Sequence, residues 1–563
     1  MDEFKPSVQL AGRREEPVGD LIARMLADAG VTHAFGVISI HNMPILDAIL
    51  RQERIVFIPA RGEAGAMNMA DAFARVAQSL GVVITSTGTA AGNAAGAQVE
   101  ALTAGSPVLH ITTQIDTPWM DRDRAAIHDV PRQPDMLKAV SKAYYRIWDA
   151  TQAAPVMKAA MSAALSAPSG PVSLEIPVDV QRQNAIIPVA PGRPLVQALK
   201  PQISDIEALA EMVRAARRPM LWLGGGARKA AAPVRDLVAR GFCTVTSTNG
   251  RAIAPEDDAH NLGAYNMTPE AQAIYDQCDL MIVAGSRLRG NETRNNAMRL
   301  GQRIAQIDAD ASQGGRNYPV DFFVHGDAAC TLSMLAANLP AKLDVDGDFR
   351  RSIEPARRKG EERLRAGLKP YDVIADVMRD RVFKGGLPFV RDVTIANSTF
   401  GNRYVALAEP HLGVHALGGG IGMGTAMAVG ASMALPAKKT VCLLGDGGLM
   451  VNLGELASAA DYNSEIVFVL MNDKAYGVIA NIQDAQYANR QAYCRLLTPD
   501  FSLVAQSVGL NHVRISKAGE FEAAFDAALA RPGPTLLEVD MNSIGPYADR
   551  FGGPPAGAAG GAR

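Results

Sequence analysis

The sequence predicts an α/β protein built from three doubly wound, parallel-sheet domains. Three observations lead there. The chain has 563 residues, enough for three or four domains of ordinary size, each able to bury its own core. Short apolar stretches of strand character alternate with helix-like stretches through most of it, the pattern of successive βαβ units. The clearest such unit, residues 443–476 (LLGDGGLMVNLGELASAADYNSEIVFVLMNDKAY), reads strand, glycine turn, helix, strand, with an acidic residue at each strand end. Apolar residues make up 48% and charged ones 20%, which excludes a disordered chain. With a net charge of -2 and no long basic run, nucleic acid is not an expected partner.

The first domain is expected over residues 1–190. Its opening residues, MDEFKPSVQLAGRREE, are polar and lack the apolar core of a secretory signal. The five cysteines are scattered with no CxxC pair, as expected of reduced thiols in a cytoplasmic protein. A helix is expected over 20–29 and strands over 33–36, 55–59, 82–85 and 108–112. After the second strand, Arg61-Gly62-Glu63 opens the helix AGAMNMADAFAR. A Glu there can simply complement the helix dipole, but the neighbours Ala64, Gly65, Ala66 and Met67 favour a shared or retained proton. Residues 85–93 (TSTGTAAGN) form a turn feeding the next helix. Several single polar residues are candidates: Gln114 past the fourth strand, His41 ahead of Met43-Pro44, His128 and Lys142. His41 also reads as a helix cap or surface histidine. His110, on an apolar strand, reads as a satisfied core histidine. A linker is expected over 188–201.

The second domain, 191–345, has expected strands at 220–223, 280–284 and 303–307, with the turn Gly224-Gly225-Gly226-Ala227, the pair Ser286-Arg287, and Asp308. Lacking GxGxxG, it does not favour a nicotinamide site. A charged helix over 342–369 leads into the third domain, 346–563. Here 393–396 reads as a strand. Residues 412–437 carry no Lys, Arg, Asp or Glu, but glycines at 418, 419, 420, 422, 424 and 430 suit a turn and a packed helix better than a membrane span. Strand 440–444, helix 452–462 and strand 466–471 follow. A right-handed crossover makes the two strands neighbours, so Asp446 and Asp473 should face one crevice. Two carboxylates beside a glycine turn suit a magnesium ion with phosphates, which the glycine amides can approach; a structural βαβ unit with an incidental GDG is the alternative. The tail from Gly552 is flexible by composition.

The GDG triplet followed by Asn472-Asp473 resembles the signature of thiamine diphosphate-dependent enzymes, in which the later pair is usually Asn-Asn. The resemblance implies that Asp446, Asp473 and the Ala475 carbonyl hold Mg2+, with Gly447, Gly448 and Tyr476 beside the cofactor. Asp in place of Asn at 473 adds a negative charge and keeps an oxygen ligand. RGEAGAMNMADAFAR is similar to the family's pattern around a conserved Glu, with Gly62 replacing the common His and Phe73 in the glycine-tyrosine region. Glu63 would then bond N1′ of the aminopyrimidine, so that the 4′-nitrogen can remove the thiazolium C2 proton. The 85–93 turn resembles the family's TSGPGxxN without its Pro. Gly418-Gly419-Gly420-Ile421-Gly422 resembles the turn under the aminopyrimidine, with the Gly419 carbonyl as acceptor and Ile421 as wedge; a packing glycine run is the alternative.

Over nearly its full length the chain resembles the acetolactate synthase and pyruvate oxidase group. This implies pyrimidine-binding, central and diphosphate-binding domains in that order, and a homodimer or homotetramer with active sites between subunits. It also implies decarboxylation of a 2-oxo acid with carboligation. In some relatives the central domain holds FAD or an ADP-containing group, here around Gly224, Arg287 and Asp308. His41 and Gln114 occupy substrate-lining positions, which leaves open an acyloin or diketone lyase like benzaldehyde lyase, with an aldehyde or acyloin as substrate. The segment through Gln483 and Tyr487 would border the substrate. A third alternative, a non-catalytic thiamine diphosphate-binding protein, is opposed by the retained Glu63.

Overall fold

The computed structural model describes residues 13–188 and 193–553. They divide into two compact units, one taking the chain through Ala74 together with Ser79–Val196, the other Arg75–Gln78 and the chain from Gln197 on.

In the first unit the strands are β1 (Arg13–Pro17), β2 (His33–Gly36), β3 (Val56–Pro59), β4 (Gly81–Thr85), β5 (Val108–Gln114), β6 (Ala143–Arg146), β7 (Val172–Pro177) and β8 (Asn184–Pro188). Six form a parallel sheet in the order β3-β2-β4-β5-β7-β6, while β1 and β8 pair as a separate antiparallel ribbon. The central strands β4, β5 and β7 are buried along their whole length, as parallel strands covered on both faces are, and the polar His110, Thr112, Ser173 and Glu175 are buried with them. The chain steps from β2 outward to β3 and returns to β4. The carboxyl ends of β2 and β4 therefore frame the crevice where doubly wound sheets bind ligands.

The second unit holds two parallel sheets. The five-stranded one contains β9 (Pro219–Leu223), β10 (Cys243–Thr246), β11 (Leu280–Ala284), β12 (Ile304–Asp308) and β13 (Phe322–His325), ordered β10-β9-β11-β12-β13. The six-stranded one contains β14 (Phe389–Arg391), β15 (Gly413–His415), β16 (Thr440–Gly445), β17 (Ile466–Asn472), β18 (Asn511–Ile515) and β19 (Thr535–Asp540), ordered β15-β14-β16-β17-β19-β18. The strand order reverses between β9 and β11 in the five-stranded sheet and between β14 and β16 in the six-stranded one, where the return from β18 to β19 is a further reversal. The charged helix is present at Gly347–Gly367, its first turn capped by the Asp346 carboxylate. The uncharged stretch supplies β15 and the helix Gly424–Ala434, buried from Gly424 through Ser432. Among the described residues no helix is long and apolar enough to cross a membrane.

Three sequence expectations are corrected. The strand placed at 393–396 lies earlier, at Phe389–Arg391; the chain leaves the sheet at Asp392, whose carboxylate takes the Val393 N–H at 2.7 Å. The helix expected over 452–462 starts three residues later, at Glu455–Asp461, and a separate helix, Asp446–Val451, stands where only a glycine turn was expected; between them Asn452 turns its side chain away to bond the Gly422 carbonyl. Strands β1, β6, β7, β8, β10, β13, β15, β18 and β19 were not anticipated. The linker expected over 188–201 falls partly outside the described residues, as does the tail beyond Gly553.

Candidate functional site

In the second unit, β16 and β17 run side by side in parallel, pairing Gly445 with Met471. Asp446 and Asp473 each follow directly on a strand end, and their carboxyls come within hydrogen-bonding reach of one another. Burial, and next the charge of Asp473, push the Asp446 carboxyl well above the ordinary carboxylate range. Burial likewise raises Asp473, opposed by its bonds to Asp446 and the Ala475 amide. The Asp446 side chain is 1% exposed, yet its Oδ2 has no hydrogen-bond partner. A buried carboxylate oxygen without a donor, facing a second carboxylate, is a donor set that fits a small divalent cation.

Glycine is required around this pair by close approach. A Cβ on Gly447 would lie 2.7 Å from the Tyr476 ring, and one on Gly477 2.0 Å from Asp473 Oδ2. Ala475 is fixed by a bridge to Arg495, and the Tyr476 N–H donates to the Cys494 carbonyl at 2.8 Å. No side chain caps the helix Asp446–Val451. Nearby, Gly418 and Gly419 are exposed, Gly419 has a φ of +80°, and a Cβ on it would meet nothing within 4 Å. Gly420 is half-buried and Ile421 is 39% exposed. Of the segment expected beside the substrate, Gln483 lies in the helix Gly477–Gln486, and Tyr487 just past it is exposed.

Sequence reasoning missed Asp392. It ends β14 on the other side of the crevice from Gly445 and is fully buried. The Gly422 N–H donates to its two carboxylate oxygens at 3.1 and 3.0 Å, and the Gly424 N–H donates at 3.3 Å. Burial raises its carboxyl to about 6, against the pull of the amides of Val393, Gly424, Gly422 and Met423. The signal was present in the glycines at 422, 424 and 448. They clear room for one carboxylate, but only once the strand boundary is known.

In the first unit, Glu63 heads the helix Glu63–Ala77, and its Oε2 accepts from Asn93 Nδ2 at 3.0 Å. Asn93 belongs to the 85–93 segment, so two motifs far apart in sequence meet. His41 is buried, its Nδ1 lying 3.3 Å from Ser86 Oγ and its ring edge-on to His128 at 5.2 Å. It is neither a surface residue nor the N-cap of the following helix, a place Asn42 takes. Burial, then the neighbouring His128, lowers its pKa, which favours the neutral ring. Gln114 Oε1 accepts from Thr87 Oγ1 and from the Ile115 N–H, both at 2.9 Å. His41, Gln114 and His128 thus gather around the turn after β4. Lys142 does not join them: its ammonium donates to the Ala163 and Ser166 carbonyls, closing the end of the helix Ala153–Leu165. His110 is the satisfied core residue expected, held by Gln98 at 2.8 Å and Thr85 at 2.9 Å.

At the central sheet, the Gly224 and Gly226 amides donate to the Ala284 and Gly285 carbonyls, both at 2.9 Å. A Cβ on Gly224 would lie 2.2 Å from the Gly285 carbonyl oxygen. Asp308 accepts the Asp310 N–H at 2.9 Å, and burial raises its carboxyl, opposed in part by Arg287.

Three family models match the chain in order. These are the N-terminal TPP binding domain of thiamine pyrophosphate enzymes over residues 17–136, their central domain over 206–335, and their C-terminal TPP binding domain over 395–539. Similar proteins include the acetolactate synthase large subunit of Parasynechococcus marenigrum, 27% identical over 91% of this chain and 85% of that protein. The acetolactate synthase large subunit of Haemophilus influenzae is 27% identical over 93% and 94%. A probable 2-ketoarginine decarboxylase of Pseudomonas aeruginosa is 27% identical over 92% and 93%.

Proposed function

Since the chain belongs to the thiamine pyrophosphate enzymes, we propose that it decarboxylates a small 2-oxo acid and joins the acyl unit so released to a second carbonyl compound. The observation that carries this reading is the pair Asp446 and Asp473, with Asp446 Oδ2 buried and unpartnered at the end of β16. In the proposal Asp446, Asp473 and the Ala475 carbonyl hold Mg2+, and the Gly447 and Gly448 amides take the diphosphate. The Gly419 carbonyl accepts from the 4′-amino group, and Ile421 separates the two rings, with Gly420 and Tyr476 alongside. When bound, thiamine diphosphate supplies a nucleophilic carbon and an electron sink. Glu63 holds a proton at N1′ and is itself oriented by Asn93. The domains are assigned as pyrimidine-binding (1–190), central (191–345) and diphosphate-binding (346–563), in a cytoplasmic homo-oligomer of at least two chains. FAD in the central domain, near Gly224, Arg287 and Asp308, is the remaining part of the proposal, read by flavin absorbance of the purified protein.

A second reading, cleavage of an acyloin, is favoured by one observation: His41 is a buried imidazole, its pKa lowered by burial, placed with Gln114 at the turn after β4. A neutral ring can take a hydroxyl proton, which acyloin cleavage requires and decarboxylation does not. The test supplies thiamine diphosphate and Mg2+ and measures carbon dioxide release from a panel of 2-oxo acids beside cleavage of acetoin and benzoin. Carbon dioxide release that survives His41→Ala supports the synthase reading; cleavage without carbon dioxide release, abolished in His41→Ala, replaces it. In Glu63→Gln, exchange of the thiazolium C2 proton should slow by about 10² to 10⁴-fold while the cofactor still binds. Unchanged exchange would remove Glu63 from its role.

A further inference from the structure

Gly422 is held from both sides. Its N–H is taken by the buried Asp392 carboxylate at 3.1 and 3.0 Å, and its carbonyl accepts from Asn452 Nδ2 at 2.6 Å. Its φ is +82°, and a Cβ there would lie 2.4 Å from that of Val451. Asp392 also closes against the diphosphate-side helix, where a Cβ on Gly448 would come 2.8 Å from its Oδ2, and against the start of the helix Gly424–Ala434, where one on Gly424 would lie 2.7 Å from its Cβ. One carboxylate therefore touches the turn bearing Gly419 and Ile421 and the helix that starts at Asp446. Asn452, just past that helix, closes the loop.

We infer that Asp392 is a positioning residue that, with Asn452, sets the distance between the turn addressing the aminopyrimidine and the helix addressing the metal and diphosphate. The inference rests on the function proposed above and adds to it the residue that holds the two halves of the cofactor site in register. The geometry singles out a carboxylate. Asp392 Oδ2 accepts from two backbone amides, Gly422 and Gly424, while Oδ1 accepts from Val393 and Gly422. Asparagine keeps the shape but turns an amide donor toward backbone donors on one side. The turn then loses its anchor while the sheet keeps its packing. A ligand that touches only the helix should not sense the change, whereas one that spans helix and turn should.

The experiment is calorimetric titration of the wild type, Asp392→Asn and Asn452→Ala with thiamine diphosphate and, separately, with inorganic pyrophosphate, each in Mg2+. Asp392→Asn is expected to weaken thiamine diphosphate by about 10 to 100-fold, the range typical of a residue acting through a ligand-holding group, and to leave pyrophosphate unchanged. Asn452→Ala should give the same split with a smaller loss, and it carries the test if the Asp392 variant does not fold. Unchanged thiamine diphosphate affinity, or parallel loss of both ligands, overturns the inference; parallel loss would mean that Asp392 only supports the fold. A wild type that takes pyrophosphate but not thiamine diphosphate overturns the proposed function together with the inference.

Discussion

Two glycine turns border the points where the strand order reverses in the two sheets of the second unit, 224–226 after β9 on one side of its reversal and 445–448 after β16 on the far side of its own. Both are crowded, since a Cβ at Gly224 or at Gly448 would collide with the protein itself. They differ in what their polar groups do. After β9 the glycine amides are used internally, on Ala284 and Gly285, so the turn joins neighbouring strand ends. After β16 the buried Asp446 carboxyl faces that of the half-buried Asp473 beyond β17, and one oxygen, Asp446 Oδ2, has no partner among the described residues. A glycine run therefore marks only close approach of backbone. What marks the turn after β16 as a ligand turn is an unsatisfied, buried carboxylate oxygen, where the turn after β9 has beside it a buried hydroxyl, Thr246 Oγ1.

The largest effect should come from attacking that difference directly. Asp446→Ala removes the unpartnered oxygen and should weaken thiamine diphosphate in Mg2+ by about 10²-fold or more, no less than is typical on losing an outer-shell partner, as measured by calorimetry. Affinity unchanged in this variant would erase the distinction between the turns. Asp473→Ala should follow it in direction, while Asp473→Asn, which keeps an oxygen ligand and removes one charge from the pair, should be milder. The reverse order would take Asp473 out of the metal set. Gly224→Ala probes the other turn. Its Cβ meets the Gly285 carbonyl, so overpacking should cost about 1 to 3 kcal/mol in urea unfolding with thiamine diphosphate affinity unchanged.

The smallest effect contrasts a satisfied buried group with the unsatisfied one. Burial lowers His110 from 6.5 to about 3, so the folded state leaves it neutral while the unfolded chain takes a proton below 6.5. Its contribution is thus present above pH 6.5 and is lost on acidification, by about 1.4 kcal/mol per pH unit between the two values. His110→Gln should show a correspondingly shallower fall in stability between pH 6 and 5. An identical slope would mean that His110 is charged in the fold.

Much of this was legible in the sequence because the central strands are buried on both faces. Stretches such as 81–85, 280–284 and 466–472 leave little choice but an interior strand, and their ends locate Asp446 and Asp473 within a residue. β7 and β19, six residues each and fully buried, were missed because Ser173, Glu175 and Glu538 interrupt their apolar pattern; the other failures were short or locally overridden. β14 has three residues and stops where the Asp392 side chain competes for the Val393 amide, so periodicity shifted it forward onto an apolar stretch that is partly helical. The helix break at Asn452 depends on Gly422, thirty positions away. The contact of Glu63 with Asn93 and the placing of Lys142 against the end of another helix are likewise tertiary. No local pattern encodes them.

The measurement that bears most directly on the central claim is titration of the metal-free protein with thiamine diphosphate, first with EDTA and then with Mg2+ restored. If Asp446 and Asp473 hold the cofactor through a cation, binding should be weak or absent without metal and return with Mg2+ in the wild type but not in Asp446→Ala. Equally tight binding with and without metal, or rescue of Asp446→Ala by Mg2+ to the wild-type affinity, would contradict it.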